Sequence, residues 1–378
     1  MASKSLKIAI VSDSIFPYNK GGKETRIYNL SRELAKLGHD VHVYTMKWWD
    51  GENEIESNGV HYHAISRLHP LYSGDRRSIK QGIFFALSCY NLLRYDFDVL
   101  DADHMPFLQL FPLKFVSQIK RRPMFATWHE VWGTGYWREY LGLPGYLASF
   151  IERMSVKLPN HIVAVSSHTG TQLGSVLGYR GKLDIIPNGI NSEAISRATP
   201  INLKSDLIYV GRLLSHKNVD LLIGAVGLLV EEYPQIQCLI IGDGPEREAL
   251  ERLRSELRLV KNITFAGIVK ENNDVYAAMK SSRVLVLPSV REGFGVSVLE
   301  AFAAGLSVVT TNHPDNAARL LISPENGICV DATSSEIAAG IKELFENQDR
   351  DGRFDHTKSY APYQWKALAV KLSGIYSQ

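Results

Sequence analysis

The sequence predicts an α/β protein made of two doubly wound domains with a cleft between them. Three observations lead to this prediction. Short runs rich in Val, Ile and Leu alternate with segments of helical apolar spacing along all 378 residues. The alternation forms two series, each long enough for its own parallel sheet, because strands separated by helices build βαβ units. The stretch PNGINSEAISRATP (187–200) breaks both periodicities and separates the two series.

The first series predicts an N-terminal domain over residues 1–190. Its helices are expected at 25–37, ended by Gly38, and at 169–177. Its strands are expected at 6–13 (LKIAIVSD), 40–46 (DVHVYTM), 98–103 (DVLDAD), 124–130 (MFATWHE), 161–167 (HIVAVSS) and 182–190 (KLDIIPNGI).

The second series predicts a C-terminal domain over residues 200–360. Helices are expected at 220–233, 245–257 and 296–304. The strands are expected at 205–213 (SDLIYVGRL), 237–244 (QCLIIGDG) and in the runs NITFAGIV, RVLVLPSV, LSVVTTN and NGICVD.

Composition excludes several classes of protein. The net charge of +2 is too small to indicate a nucleic-acid partner. The three cysteines show no CxxC spacing, which counts against a zinc site or a disulfide framework, and Cys238 and Cys329 are expected to be buried in strands. The longest apolar run, LLIGAVGLLV, has ten residues, and no secretory signal is recognised, so a cytoplasmic protein is expected.

Glycines follow the first strand, in the segment SDSIFPYNKGGKET. In doubly wound sheets, ligands bind at the carboxyl ends of the strands, so the residues just after strands are the first candidates for a site. Gly21 and Gly22 precede a helix whose free N–H groups can bind an anion; the alternative is a flexible turn. The pattern is not G-x-G-x-x-G, which counts against a nicotinamide enzyme.

Two loops of the second series carry polar and glycine residues. GRLLSHKN places Arg212 and Lys217 after a strand, where a guanidinium and an ammonium can neutralise a diphosphate, although a solvated basic loop is the alternative. IGDGPE places Gly242 and Gly244 after the next strand, where a nucleotide could approach the backbone, although GDG is also a plain turn.

The segment REGFGVSVLE carries two acids, Glu292 before a Gly-Phe-Gly turn and Glu300 in the helix that follows. A carboxylate accepts two hydrogen bonds, so each acid can bind a vicinal diol of a sugar or a ribose. The amides at the helix start, near Val296, are available to a diphosphate. The alternative is a capping acid and a helix-surface acid.

Taken together, these motifs resemble the retaining GT-B glycosyltransferases, in particular glycosyltransferase family 4 (glycosyl transferases group 1). The resemblance extends over nearly the whole chain, from the GG loop and ATWHE to IPNGI, GRLLSHKN, IGDGPE and the E-x7-E pattern of Glu292 and Glu300. It implies two Rossmann-like domains, the first binding the acceptor and the second the nucleotide sugar, with the C-terminal segment 361–378 packing back onto the first.

The resemblance also implies roles for the single residues. Arg212 and Lys217 match the cations that hold the donor diphosphate, and Glu292 matches the acid that contacts donor-sugar hydroxyls. Glu300 matches the acid that binds the ribose, and His129 matches a histidine near the reacting centre, followed here by Glu130 where many relatives have Asp. Gly21 and Gly22 match the loop that closes over the donor diphosphate or over the acceptor side of the cleft. The other backbone positions expected to approach the donor are Gly242, Gly244, Gly293, Phe294, Gly295 and Val296.

The implied reaction is transfer of a sugar from a UDP- or GDP-sugar to an acceptor, with retention and without a metal or other cofactor. Asp101-x-Asp103 has the spacing of a metal-binding D-x-D motif, but it ends a strand of the first series and is interpreted as coincidence, with His104 as a further cleft residue. The alternatives are a glycan phosphorylase, a nucleotide-sugar epimerase of the same fold, and a catalytically idle subunit that binds sugar nucleotides.

Three segments of the first domain, which is expected to bind the acceptor, have two possible interpretations. Segments 75–80, 107–122 and 132–157 combine aromatic, aliphatic and basic residues. They suit the surface of an anionic membrane and a lipid-linked acceptor, which would make the protein peripheral on the inner face of the membrane. Equally, they suit helices that pack against the first sheet. His61 and His63 alternate in a strand without a third metal ligand close in sequence, so a surface or core role is expected for them.

Overall fold

The computed structural model describes residues 5–73, 76–201, 205–351 and 356–378, so Asp75 of segment 75–80 lies outside the described residues. The chain divides into two compact units. Unit 1 comprises Met1–Gly189 with Trp365–Gln378, and unit 2 comprises Ile190–Gln364.

Unit 1 is built on an eight-stranded sheet, and two further short strands pair separately as β5 and β6. The strands are β1 (Lys7–Val11), β2 (Asp40–Met46), β3 (Glu54–Ser57), β4 (Val60–Ser66), β5 (Tyr72–Ser73), β6 (Arg76–Arg77), β7 (Val99–Asp103), β8 (Met124–Trp128), β9 (His161–Ala164) and β10 (Lys182–Ile185). The order across the sheet is β3-β4-β2-β1-β7-β8-β9-β10, and each neighbouring pair is parallel except β3 with β4.

Strand order reverses between β1 and β7 in unit 1. The chain goes from β1 to β2 and β4 on one side, and then returns to β7 on the other side of β1. The loops that leave β1 and β7 therefore diverge to opposite faces and open a crevice at their carboxyl ends, where ligands of doubly wound sheets bind.

Helices cover both faces of this sheet. On one face, α1 and the C-terminal helix (Trp365–Tyr376) bury Leu30, Leu34, Leu368 and Leu372 against the strands. On the other face, a second core contains Phe85, Leu110 and Leu113 from the second and third helices. The helices of unit 1 before residue 190 are α1 (Gly22–Lys36), α2 (Ile79–Ser88), α3 (Leu110–Lys120), α4 (Gly133–Leu141), α5 (Gly145–Ser155) and α6 (Ser167–Ser175).

Unit 2 repeats the plan with six parallel strands in the order β13-β12-β11-β14-β15-β16, so strand order reverses between β11 and β14. Its strands are β11 (Leu207–Val210), β12 (Cys238–Ile241), β13 (Ile263–Gly267), β14 (Val284–Leu287), β15 (Ser307–Thr311) and β16 (Gly327–Val330). Its helices are α7 (Ser192–Arg197), α8 (Val219–Leu229), α9 (Arg247–Glu256), α10 (Asn272–Lys280), α11 (Val296–Ala304), α12 (Ser334–Asp351) and α13 (Thr357–Tyr360).

These two sheets confirm the predicted α/β class, and the differences from the sequence prediction are local. Several strands end earlier than expected, because their polar last residues leave the sheet as loops. α1 begins at Gly22 instead of residue 25. The expectation of a buried Cys329 is wrong: its side chain is exposed, because β16 is an edge strand with one uncovered side.

A buried polar contact ties the C-terminal helix to the sheet of unit 1. The hydroxyl of Tyr376 donates a hydrogen bond to Asp101 Oδ2, and Thr127 Oγ1 donates to the same carboxyl group at 3.3 Å. Burial raises the pKa of Asp101 to about 6, although these hydrogen bonds and Arg26 lower it.

Among the described residues, no helix combines the length and the apolar character that crossing a bilayer requires.

Candidate functional site

In unit 2, two of the sequence-predicted residues meet at the point where strand order reverses. Lys217 lies in the loop after β11 and Glu292 in the loop after β14. The distance from Lys217 Nζ to Glu292 Oε1 is 2.6 Å, and both side chains are largely buried, with 17% and 12% of their surfaces exposed. The contact is a charge-assisted hydrogen bond with little solvent screening, so it holds the two loops together.

Backbone contacts fix the position of Glu292. Its N–H donates to the carbonyl of Asp315 at 3.1 Å, and its carbonyl accepts from the N–H of Ala317 at 3.0 Å. On the other loop, the carbonyl of His216 accepts from the N–H of Val290 at 3.0 Å. The carboxylate therefore stands on a loop held on both sides, as a binding group requires.

The turn after Glu292 has separate roles for its three residues. Gly295 has a φ of +95°, and a Cβ there would come within 2.6 Å of Ala318 Cβ, so the position requires glycine. Phe294 is buried and its ring lies 5.8 Å from the ring of Tyr363, so its side chain anchors the turn. Gly293 and Val296 are partly exposed, and Val296 begins α11 as predicted.

The first amides of α11 directly follow the loop that carries Glu292. The first four N–H groups of a helix have no partner within the helix, and they carry the positive end of its dipole. The N-cap residue, Gly295, has no side chain that could accept from them. A phosphate oxygen placed beside the Gly-Phe-Gly turn would therefore find hydrogen-bond donors.

Gly242 and Gly244 are explained by packing between loops. A Cβ at Gly242, where φ is +141°, would lie 1.8 Å from the carbonyl oxygen of Gly211, and a Cβ at Gly244 would lie 2.3 Å from that of Leu213. The loop after β12 thus packs directly against the segment that carries Arg212. Arg212 itself is exposed, and its carbonyl accepts from the hydroxyl of Tyr209 at 2.9 Å. Glycine at both positions is therefore required for this loop to pack in its observed place.

Glu300 lies on α11 and is half-buried. Burial raises the pKa of this carboxyl group to about 7, and the hydrogen bond donated by Tyr276 Oη to Glu300 Oε1, at 3.4 Å, only partly opposes that rise. Tyr276 belongs to α10 and was not anticipated from sequence, since a tyrosine in an ordinary amphipathic helix matches no motif. Glu300 is thus poised between its neutral and charged forms near neutral pH.

In unit 1, His129 follows β8 at the carboxyl edge of the sheet. Its Nε2 lies 3.6 Å from Asp103 Oδ1, and His104 Nδ1 lies 3.3 Å from the same oxygen. Burial lowers the pKa of His129 to about 3, although the negative charge of Asp103 opposes the shift. The imidazole is therefore neutral at physiological pH and can both donate and accept a hydrogen bond.

Sequence analysis missed a buried charge network at the unit 1 crevice. Lys23 Nζ lies 2.7 Å from Asp13 Oδ1, after β1, and 2.8 Å from Asp103 Oδ2, at the end of β7. Arg77 Nη2 contacts Asp13 Oδ2 at 2.5 Å, and Gln81 Nε2 donates to the same oxygen at 3.0 Å. In the sequence, the only sign of this network is that Asp13 and Asp103 each come at the end of a strand. That sign becomes informative only when the two strands are known to be neighbours in the sheet.

The network sets the charge of Asp103. Burial raises the pKa of this carboxyl group, but Lys23 and the hydrogen bond with His104 overcome burial and hold it well below its usual range. Asp103, His104 and His129 could in principle hold a cation, since one ligand atom of each lies within 4.8 Å of the others. The ammonium of Lys23 already neutralises Asp103 there, which disfavours a second cation.

Gly21 and Gly22 lie exposed at the start of α1, beside this network. Gly21 is the N-cap, with φ of −144°, and Gly22 is the first helical residue. A Cβ at Gly22 would meet no atom within 4 Å, and one at Gly21 would meet only the flexible end of Glu24, at 2.5 Å. Neither packing nor backbone conformation requires a glycine at 22, so the predicted approach of a ligand to this position stays a prediction.

Two family models match the chain consecutively. The model described as Glycosyltransferase Family 4 matches residues 20–194, and the one described as Glycosyl transferases group 1 matches residues 191–359. Among curated proteins, the chain is similar to a subunit of the phosphatidylinositol N-acetylglucosaminyltransferase of Homo sapiens, with 26% identity over 395 residues, which is 100% of this chain and 77% of that protein.

Solved structures share the fold. Sucrose-phosphate synthase from Thermosynechococcus elongatus superposes with a TM-score of 0.82 and 20% identity, covering 98% of each chain. Anabaena Alr3699/HepE in complex with UDP-glucose gives a TM-score of 0.74 and 16% identity, covering 98% of this chain and 99% of that one. The predicted GT-B fold of two Rossmann-like domains is thereby confirmed.

Replacing Gly242 by alanine should destabilise unit 2 strongly, by about 3 kcal/mol or more, because the new methyl would overlap the Gly211 carbonyl. Gly227→Ala, in α8 of the same unit, is the matched control: its Cβ would lie at an ordinary 3.7 Å from Leu259, so stability should hold or rise. Urea denaturation followed by circular dichroism measures both. If Gly242→Ala and Gly227→Ala unfold at the same urea concentration, the close contact between Gly242 and the Gly211 carbonyl is wrong.

Glu300→Gln should stabilise the protein at pH 8 and much less at pH 5. The folded-state pKa of about 7 exceeds the ordinary value of 4.5, so the folded protein loses stability from this group as pH rises from 4.5 through 7. The uncharged amide of glutamine removes that loss, so the free energy of unfolding at pH 8 should rise by about 1–3 kcal/mol. Denaturation midpoints at both pH values test this, with the exposed Glu231→Gln as control; a pH-independent difference would contradict the buried carboxyl.

Proposed function

The chain belongs to glycosyltransferase family 4, in the group 1 glycosyl transferases, and we propose that it transfers a sugar from a nucleoside diphosphate sugar to a lipid-linked acceptor, with retention at the anomeric carbon. The observation that carries the proposal is the Lys217–Glu292 pair at the reversal point of unit 2, followed directly by the amino end of α11. This arrangement places a cation, an anion and free amides within one crevice.

The donor assignment follows from the charges of that crevice. A diphosphate is held by cationic side chains and by helix-start amides, which Lys217, Arg212 and the Gly293–Val296 segment supply. On donor binding, Lys217 would exchange its contact with Glu292 for the diphosphate, and the freed carboxylate would accept hydrogen bonds from sugar hydroxyls. Glu300 would bind the ribose diol. The UDP-glucose complex of the similar Anabaena protein supports a uridine donor.

Chemistry at the anomeric carbon needs stabilisation of the leaving group above all. As the bond between that carbon and the diphosphate oxygen breaks, negative charge grows on the diphosphate, where Lys217, Arg212 and the α11 amides would stabilise it. The acceptor hydroxyl would attack from the same face and pass its proton to the departing phosphate oxygen. In unit 1, neutral His129, oriented by ionised Asp103, is the group that we propose to hydrogen-bond a sugar hydroxyl. The proposal assigns no step to a metal ion.

The lipid-linked acceptor is supported by an outer apolar face on unit 1. This face consists of exposed side chains at helical spacing on α2, α3 and α5, which also bury their opposite sides against the sheet. Its members are Ile79, Ile83, Leu87, Phe115, Ile119, Leu147 and Phe150. These helices pack against the sheet on one side, and the apolar side chains on their other side support the proposed membrane contact.

Exposed basic residues lie close in sequence to members of the outer apolar face: Lys80 follows Ile79, and Arg121 lies two residues after Ile119. Apolar side chains flanked by cations suit the interface of an anionic bilayer, where each buried hydrophobe and each nearby cation adds affinity. The name of the human relative, which belongs to a phosphatidylinositol N-acetylglucosaminyltransferase, is consistent with a lipid acceptor. A peripheral position on the membrane would bring such an acceptor to unit 1.

Donor hydrolysis tests the reaction, with the Lys217–Glu292 pair as probe. Lys217→Met should lower turnover about 100-fold or more, because the leaving diphosphate loses a preorganised cation, and should weaken binding of UDP. Glu292→Gln should also lower turnover, because sugar contacts are lost, yet bind UDP alone at least as tightly as the natural protein, because Lys217 is released. Calorimetry with UDP and hydrolysis of UDP-glucose measure the two quantities.

The exposed Lys261→Met is the matched control and should change neither quantity. If both pair variants weaken UDP binding equally, the carboxylate does not compete with the diphosphate for Lys217. If the natural protein binds sugar nucleotides tightly but hydrolyses and transfers none of them, it is catalytically idle and the proposed activity is wrong.

Vesicle flotation tests the acceptor side. The full-length protein should float with vesicles that contain anionic phospholipid, and Leu87→Glu with Leu147→Glu should reduce the bound fraction several-fold, because each introduced carboxylate must leave water at an anionic surface. Leu228→Glu, an exposed leucine of α8 in unit 2, should have no effect. If the protein carrying Leu87→Glu and Leu147→Glu floats as well as Leu228→Glu does, the outer apolar face does not contact the membrane. The donor assignment would not be affected by that result.

A further inference from the structure

A cluster of histidines and acids lies at the amino edge of the unit 1 sheet, opposite the edge that carries His129. Strand β2 contributes Asp40 and His42, β4 contributes His61 and His63, and β3 contributes Glu54 and Glu56. The ligand-bearing residues fall within the first three or four positions of β2 and β4, whereas His129 follows the carboxyl end of β8. The cluster is therefore separate from the candidate catalytic site.

Sheet register brings these residues onto one face. His42 pairs with His61 across the parallel strands, and β3 places Glu54 beside His63 and Glu56 beside His61. Asp40 Oδ1 lies 2.9 Å from His42 Nε2 and 3.8 Å from His61 Nε2. One ligand atom from each of these three residues lies within 4.8 Å of the others, which supplies the third ligand that the sequence around His61 lacks.

Each of the two imidazoles has a further partner on its other nitrogen. His61 Nδ1 lies 4.0 Å from Glu56 Oε2. His42 Nδ1 lies 2.7 Å from His63 Nε2, and His63 Nδ1 lies 3.0 Å from Glu54 Oε1. Histidines that bind a metal usually donate their second N–H to a carboxylate, directly or through a relay. The row from His42 through His63 to Glu54 has the order of such a relay, whereas the contact of His61 with Glu56 is too long for a direct hydrogen bond.

The Nε2 atom of His42 supports a cation at the Asp40 end of the cluster. It is buried and, within the part of the chain that the structure describes, no group meets it in hydrogen-bond geometry. Asp40 Oδ1 lies 2.9 Å away, but it is not aligned with this nitrogen for a hydrogen bond. A metal ion would bind both atoms.

We propose that Asp40, His42 and His61 form a Zn²⁺ site, with water as the fourth ligand. Two imidazole nitrogens and one carboxylate oxygen are a donor set that suits zinc, at bond lengths of about 2.0–2.2 Å. The stacked rings of His42 and His61, 4.8 Å apart, must tilt toward each other to reach one ion. His61 has 42% of its side chain exposed and can make this movement.

One neighbouring charge opposes the cation. Lys7 Nζ lies 3.6 Å from Asp40 Oδ2, the carboxylate oxygen that zinc would leave unused. Its ammonium repels a divalent ion across Asp40, so removing that charge should strengthen binding. Zinc would join β2 to β4 across the sheet, far from the sugar chemistry, and its contribution is to the stability of unit 1.

Zinc binding to the full-length protein, stripped with a chelator, tests the proposal. Competition with a fluorescent zinc indicator should show one site, and Co²⁺ in its place should give the visible absorption of tetrahedral coordination. His61→Ala should weaken zinc binding about tenfold or more, Glu54→Gln should weaken it less, and Lys7→Gln should strengthen it several-fold. Zinc should raise the melting temperature of the natural protein and leave that of His61→Ala unchanged.

Two controls make the result decisive. His69→Ala removes a histidine of the same unit that stacks on Phe84, and it should leave zinc binding unchanged. His129→Gln removes the histidine of the other acid and histidine group, and it should also leave zinc binding unchanged. The proposal is overturned if the stripped protein takes up no zinc, if His61→Ala binds zinc as tightly as the natural protein, or if His129→Gln alone abolishes binding.

Discussion

The parallel strand order of each unit is the constraint on which the rest of the structure depends. A parallel sheet must return its chain across a face after each strand, so all its strands end at one edge. Where the order reverses, between β1 and β7 in unit 1 and between β11 and β14 in unit 2, the outgoing loops diverge and leave a crevice. In both units, oppositely charged side chains occupy that crevice: Lys23 with Asp13 and Asp103, and Lys217 with Glu292.

The two crevices use their charges differently. In unit 1, Lys23 lies between two buried carboxylates, and Arg77 and Gln81 contact one of them, Asp13. The network is therefore a fixed support for the neighbouring histidines. In unit 2, Lys217 contacts Glu292 next to the amino end of α11, so the pair can be opened by an anion that satisfies the lysine in another way. The first arrangement positions residues, and the second can exchange partners.

Much of the candidate site could be predicted from the sequence, because several glycine and charged motifs follow strands in the same chain, although each of them alone has an ordinary structural alternative. Glu292, Lys217 and the start of α11 were recognised in this way. Gly242 and Gly244 show the limit of the method. They follow β12 as expected, but the close contacts with Gly211 and Leu213 that require glycine belong to an earlier loop of the chain. Tyr276 and Lys23 match no motif, since their importance comes only from the groups they contact.

The sequence by itself determined the α/β class, the division into two series of strands and helices, and the residue types placed at the ends of strands, since these follow from local periodicity and turn chemistry. Only the tertiary structure decided which of these residues are neighbours. Asp40 and His42 come to lie beside His61, and Lys217 beside Glu292 seventy-five residues later, because strand order and register set the partners across a sheet. Those pairings depend on long-range packing, which spacing along the chain does not encode.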